Sequence, residues 1–252
     1  MRRILLILLL LCICILPATM HNLRKSEQFY GVDTNNGEPD GCALFSDAFQ
    51  SQAKKSLSDC KIESFNGPKV YTVKPGDTLD RIAANIYGNK CYAKIIALHN
   101  RIEDIEKIET GMKLKTPSFD ILLSNEGFAN VMKHEMAYIV CARELYINTE
   151  KNLQAKQTIF SSGKMNVPDE IKETMLTSAC YICLAIKGLS EKKAGVSRIP
   201  VKMIYQLQKV STNLIGLASG GREGASKEMD MVHQNLALAM ANGIIWSRNG
   251  FR

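Results

Sequence analysis

The chain has 252 residues, is 46% hydrophobic and 23% charged, and carries a formal net charge of +7. Once an N-terminal leader is set aside, that length suits one small module plus one further domain with its own core. Acidic residues are spread among the basic ones rather than blocked, and no concentrated basic patch marks a nucleic-acid surface, so no nucleic-acid partner is expected.

Met1-Arg-Arg, the apolar run Ile4 to Leu16 and then Pro17-Ala18-Thr19 follow the order of a secretory signal, with an apolar stretch too short to span a bilayer comfortably. Residues 1–18 are read as a signal peptide or, uncleaved, as an N-terminal anchor that leaves Arg2 and Arg3 inside the cell. That anchor is the sole membrane contact expected. Leu16 stands where cleavage prefers a small residue, which keeps the anchor open. Both outcomes place the remainder outside the cytoplasm, in a bacterial periplasm or cell wall.

Residues 19–69 are read as a linker with a short helix. Positions 21–40 are polar and rich in Asn, Gly, Asp and Glu, whereas Ala43, Leu44, Phe45, Ala48 and Phe49 suggest helix. Of the 8 cysteines, Cys12 and Cys14 lie in the leader, leaving Cys42, Cys60, Cys91, Cys141, Cys180 and Cys183. An even number in an oxidising compartment permits disulfides whose connectivity spacing does not encode. Cys42–Cys60 is the leading pair, with free buried thiols as the alternative.

Tyr71-Thr-Val-Lys-Pro-Gly-Asp-Thr-Leu79 gives a strand, a Pro75-Gly76 turn, and Asp77 or Thr78 as a helix cap. Leu79, Ile82, Ala83 and Ile86 recur at helical spacing, and Gly88 fits a helix end. Tyr92, Ile95, Ile96, Leu98 and His99 make a second helical segment ending near Asn100. Met112-Lys-Leu-Lys-Thr then alternates with period two until Pro117.

On these residues the stretch 70–117 resembles a LysM domain, a small βααβ module of a family that binds N-acetylglucosamine-containing polymers such as peptidoglycan and chitin. The resemblance implies a shallow glycan groove between Gly76, Asp77, Thr78 and Leu79 on one side and Ile105, Ile108, Glu109 and Thr110 on the other. Backbone groups there are expected to bond acetamides while apolar side chains cover methyl groups. Thr110 departs from the proline usual in the family, and Thr116 and Asp80 are further departures.

Residues 118–252 turn helical. Phe128, Met132, Met136, Ile139, Ala142 and Tyr146 follow the helical period, as do Val201, Ile204, Leu207, Leu214 and Leu217. Breaks at Ser161-Ser-Gly163, between Gly188 and Pro200, and at Ser219 to Gly224, with Pro168 opening a helix, divide the region into helices near 120–158, 168–188, 200–218 and 225–247. Short connections favour an antiparallel bundle. The fold class is thus mainly α: a small α+β module followed by an α-helical bundle.

Chemistry in the bundle is hard to assemble from side chains. Cys180-Tyr-Ile-Cys183 lies inside a helical pattern, where packing explains it better than redox or zinc chemistry. Cys141 with His134, or Cys180 with His233, supplies two of the three groups that a cysteine peptidase needs. Glu126 and Glu135 as a glycosidase pair fall half a turn apart on one helix and face different sides, so solvated faces explain these charges better. His134-Glu135 lacks the second histidine of a helical zinc peptidase. Met229, Met231 and Met240 are core or an adaptable partner surface, and Trp246 is expected to dock on the bundle. No catalytic residue, metal or cofactor is assigned. The favoured function is an exported envelope protein that binds peptidoglycan or another GlcNAc polymer and scaffolds or binds an envelope partner. The alternative is a LysM-targeted cell-wall hydrolase with an unfamiliar helical catalytic domain.

Overall fold

The computed structural model describes residues 45–61, 67–119, 132–155, 167–192, 201–220 and 225–249. The leader, the polar stretch 21–40, Cys42, Glu126, Phe128 and the side chain of Trp246 lie outside the described residues. Residues from Phe45 onward belong to one compact unit.

Helix α1, Asp47–Ser56, starts where the Ser46 hydroxyl accepts from the Phe49 N–H, and a 3-10 turn Leu57–Asp59 follows it. Strand β1, Val70–Thr72, pairs antiparallel with β2, Lys113–Lys115, in the register Val70↔Lys115, Tyr71↔Leu114 and Thr72↔Lys113. Between them come α2, Leu79–Tyr87, a 3-10 turn Lys90–Tyr92, and α3, Ala93–Asn100. Gly88 closes α2 at φ 80°, the left-handed conformation that a Cβ disfavours. The strand–helix–helix–strand order matches the sequence expectation. Its core is Val73, Leu79, Ile82, Ile86, Ile95, Ile96 and Leu114, all buried. Asn100 fastens α3 to the sheet: its amide donates to the Lys115 carbonyl and accepts from the Lys115 N–H, both at 2.7 Å.

The C-terminal region is helical throughout its described part: α4 Lys133–Ala155, α5 Asp169–Lys192, α6 Val201–Ala218 and α7 Ala225–Asn249. Consecutive helices pack side by side. Helices α4 and α5 run antiparallel, as the Ser178 hydroxyl donates to the Ala142 carbonyl at 2.7 Å and Tyr181 meets the Tyr138 ring, and so do α6 and α7, where Asn242 bonds Gln206 and Glu228 lies near Gly216. Met136, Ile139, Met175, Ile182, Met203, Leu207, Leu236 and Met240 are fully or almost fully buried among them, which makes Met229 and Met240 core and leaves Met231 half-buried.

Two sequence expectations change. Cys60 is bonded to Cys141 on α4, across a Cα–Cα distance of 6.0 Å, and not to Cys42. The 3-10 turn after α1 lays Cys60 against α4, so the partner is set by tertiary packing over a separation of 81 residues. Secondly, Glu135 is not on a solvated face. It is buried at the α4–α5 crossing, and a Cβ added to Gly188 would stand 2.5 Å from its Oε1, so glycine at 188 makes the room.

Candidate functional site

Beyond the paired strands, the Val73 N–H donates to the Met112 carbonyl at 2.9 Å and the Gly111 N–H donates to the Val73 carbonyl at 2.8 Å. The segment after β1 and the segment before β2 therefore leave the same end of the sheet as neighbours. The stretches 76–79 and 105–110, which the sequence reading places on opposite sides of a groove, follow and precede that shared end.

The first stretch is held by its own hydrogen bonds. Pro75-Gly76 turns back so that the Asp77 N–H donates to the Lys74 carbonyl at 3.1 Å, with Gly76 at φ 79°. Oδ2 of Asp77 accepts from the Lys74 N–H and from the Tyr71 hydroxyl, each at 2.8 Å. The Lys74 N–H and then the Tyr71 hydroxyl hold the Asp77 carboxyl below its ordinary range, and the same bond to Asp77 raises Tyr71. Arg81 donates to the Gly76 carbonyl at 3.0 Å, and Thr78 caps α2 by accepting from the Arg81 N–H. Gly76 and Thr78 are exposed, Asp77 is half-buried, and Leu79 is a core side chain. Leu79 thus has only its backbone to offer a ligand.

The second stretch is more open. Ile105 is 49% exposed, whereas Ile108 is half-buried and rests on the core. Glu109 and Thr110 are exposed, and the Glu109 carbonyl accepts from the Met112 N–H at 3.0 Å. The second stretch thus offers one exposed apolar side chain, Ile105, beside the exposed polar positions Glu109 and Thr110.

The candidate catalytic pairs in the bundle come apart. Cys141 is in a disulfide and His134 is exposed. Cys180 is buried, with its thiol pushed up to about 12 by burial, which is the reverse of an activated nucleophile. His233 is engaged elsewhere, with Nε2 2.8 Å from Glu150 Oε2 and Nδ1 3.4 Å from the Tyr92 hydroxyl. Among the described residues, no cluster of three or more His, Cys, Asp or Glu side chains has metal-binding geometry.

Sequence reasoning missed the joint that connects the small module to the bundle. Arg143, fully buried on α4, donates to the Tyr87 carbonyl at 2.7 Å and pairs with Glu144 at 2.7 Å. Its guanidinium carbon lies 3.9 Å from the Phe119 ring centroid and 4.4 Å from that of Tyr92. Burial raises the Tyr87 and Tyr92 hydroxyls; the former donates to the Pro117 carbonyl at 2.8 Å. On the other flank, His233 of α7 meets the Tyr92 ring edge-on. The only sequence signal was Arg143-Glu144 interrupting an otherwise apolar helical period.

Residues 71–117 match the family model of the LysM domain. A protein of Deinococcus radiodurans described as uncharacterized is 39% identical over 98 residues, which is 38% of this chain and 36% of that protein. The chain thus spans well under half of that relative's length. No solved structure matches the chain.

Proposed function

We propose, for a chain whose residues 71–117 are a LysM domain, that it is an exported cell-envelope protein that holds peptidoglycan in the groove between residues 76–79 and 105–110. The LysM domain is a module for GlcNAc-containing glycans; the export, the choice of peptidoglycan and the role of the bundle are the proposal's own. The observation that supports the groove is the shared sheet end, where Val73 bonds both Gly111 and Met112, so that the segment after β1 and the segment before β2 leave from one place. Export is supported by the Cys60–Cys141 disulfide, which persists in oxidising compartments, and by the order of residues 1–18. Among the described residues no helix is long and apolar enough to cross a membrane. The domain division proposed is 1–18, 19–69, 70–117 and 118–252, with the bundle as scaffold or partner-binding domain.

Sedimentation of the purified protein with insoluble peptidoglycan, together with an assay for released muropeptides, tests this reading. Binding without release is expected, and Asp77→Ala and Ile108→Ala should each weaken it while the fold persists. Unchanged binding by both variants would move the site elsewhere, and release abolished by a carboxylate or cysteine substitution would establish the hydrolase alternative.

A further inference from the structure

Among the described residues, the bundle meets the LysM domain at α2, α3 and the turn between them. Its helix α7 packs on α3 and on the turn Lys90–Tyr92, and Arg143 of α4 reaches the C-terminus of α2. The sheet points elsewhere. Its inner face sets Tyr71 and Leu114 toward the helices, and among the described elements α3 is the one that packs against it. Alternation puts Val70 and Thr72 of β1 beside Lys115 and Lys113 of β2 on the outer face, and all four are exposed. Lys74 continues that face past the end of β1, and Lys69 flanks its other end; both are exposed. None of these four lysines has a carboxylate within ion-pair distance among the described residues.

The loop that forms the far wall of the groove has the opposite sign. Glu103, Asp104, Glu106 and Glu109 are all exposed there, with Lys107 paired to Asp104 at 3.3 Å. The domain thus carries acid along the 103–109 loop and lysines along the sheet, and Lys74 and Lys113 flank the Val73, Gly111 and Met112 bonds at the sheet end from which both groove segments leave.

We propose that the lysine face of the sheet, through Lys113, Lys115 and Lys74, binds the carboxylates of the peptide stems on a peptidoglycan strand held in the adjacent groove. This rests on the glycan-groove reading and adds which part of the polymer is recognised and how the strand is turned. A neutral GlcNAc chain carries no charge for either the acidic loop or the lysine face to act on. A strand bearing anionic stems is repelled by the acidic loop and drawn toward the sheet, where lysines two residues apart on β2 stand roughly 7 Å from each other. Specificity for wall over chitin then comes from charges outside the sugar site.

The test compares the full chain with the double variant Lys113→Gln/Lys115→Gln on three insoluble polymers: peptidoglycan, the same peptidoglycan after its carboxyls are amidated, and chitin. The wild type is expected to bind native peptidoglycan about fivefold more tightly than the amidated form, from two exposed ion pairs, and to lose that margin in high salt. The double variant, which keeps Lys74, is expected to lose most of that margin while keeping its chitin affinity. Equal wild-type affinity for native and amidated peptidoglycan overturns the proposal, as does a double variant that keeps the wild-type preference. A variant weakened equally on all three polymers also overturns it, because the lysines would then support the groove itself. Failure of the wild type to bind any of the three polymers would instead refute the glycan groove on which the proposal rests. Tight binding to a polyphosphate control with no preference among the three would show a general polyanion surface and likewise overturn it.

Discussion

Arg143 of the bundle donates to the main-chain carbonyl of Tyr87 in the LysM domain at 2.7 Å, with no water-accessible surface on the arginine side chain. A backbone carbonyl at the end of α2 would otherwise be left for solvent. Here it is completed by the bundle, while the guanidinium stacks on Phe119 and Tyr92 and its charge is matched by Glu144.

Arg143→Leu is therefore expected to lower stability by about 3–5 kcal/mol, because it removes one partner of a buried ion pair and the donor to the Tyr87 carbonyl. Removing both charges in Arg143→Leu/Glu144→Leu should recover part of that loss. Arg143→Lys should not, since an ammonium lacks the planar fork that bonds a carbonyl while stacking on rings. Chemical denaturation of the four proteins checks the order.

The Cys60–Cys141 bond closes a loop with a sequence separation of 81, and in the chain-entropy account a loop of that length contributes about 4.5 kcal/mol. Cys60→Ser should reduce the free energy of unfolding by up to this amount. Peptide mapping without reductant should recover a fragment joining Cys60 to Cys141, and recovery of Cys42 joined to Cys60 would contradict the pairing.

Asp77 bonds the Lys74 N–H and the Tyr71 hydroxyl through its ionised form, and its carboxyl titrates below the ordinary 3.8. A depressed carboxyl contributes stability that is fully present above the unfolded value and lost as pH falls through the folded one. The turn 74–78 should accordingly loosen below pH 3.8. Peptidoglycan binding by the wild type is expected to fall there, while Asp77→Asn shows weaker binding at neutral pH and no such acid step. Pull-down across a pH series reads both.

Ile105 and Ile108 separate contact from support. Ile105 is 49% exposed, so Ile105→Ala should weaken glycan binding with no change in melting temperature. Ile108 leans on the core, so Ile108→Ala should weaken binding and cost about 1 kcal/mol of stability. Leu79 is buried to 1% exposure, and Leu79→Ala should cost about 2–5 kcal/mol through the cavity it leaves. Differential scanning calorimetry beside sedimentation distinguishes the three.

Periodicity made the helices legible: the expected spans 168–188, 200–218 and 225–247 correspond to Asp169–Lys192, Val201–Ala218 and Ala225–Asn249. The LysM order was legible because Pro75-Gly76, Thr78 and Gly88 are local signals that act within a few residues. What the sequence hid is contact between distant segments. Cys60 has no local feature that names Cys141, and Glu135 and Arg143 look like surface charges until α5 and the LysM aromatics close over them. Of the residues proposed for the groove, Gly76, Thr78 and Ile105 are exposed, whereas Leu79 belongs to the core because it begins the buried stripe of α2.

The disulfide also makes the chain a closed ring from Cys60 to Cys141, with the whole LysM domain inside it. A single proteolytic cut anywhere within that ring opens the backbone without parting the two pieces. A protein nicked there would still migrate as one species until reduced, and the bundle would remain attached to whatever the LysM domain holds.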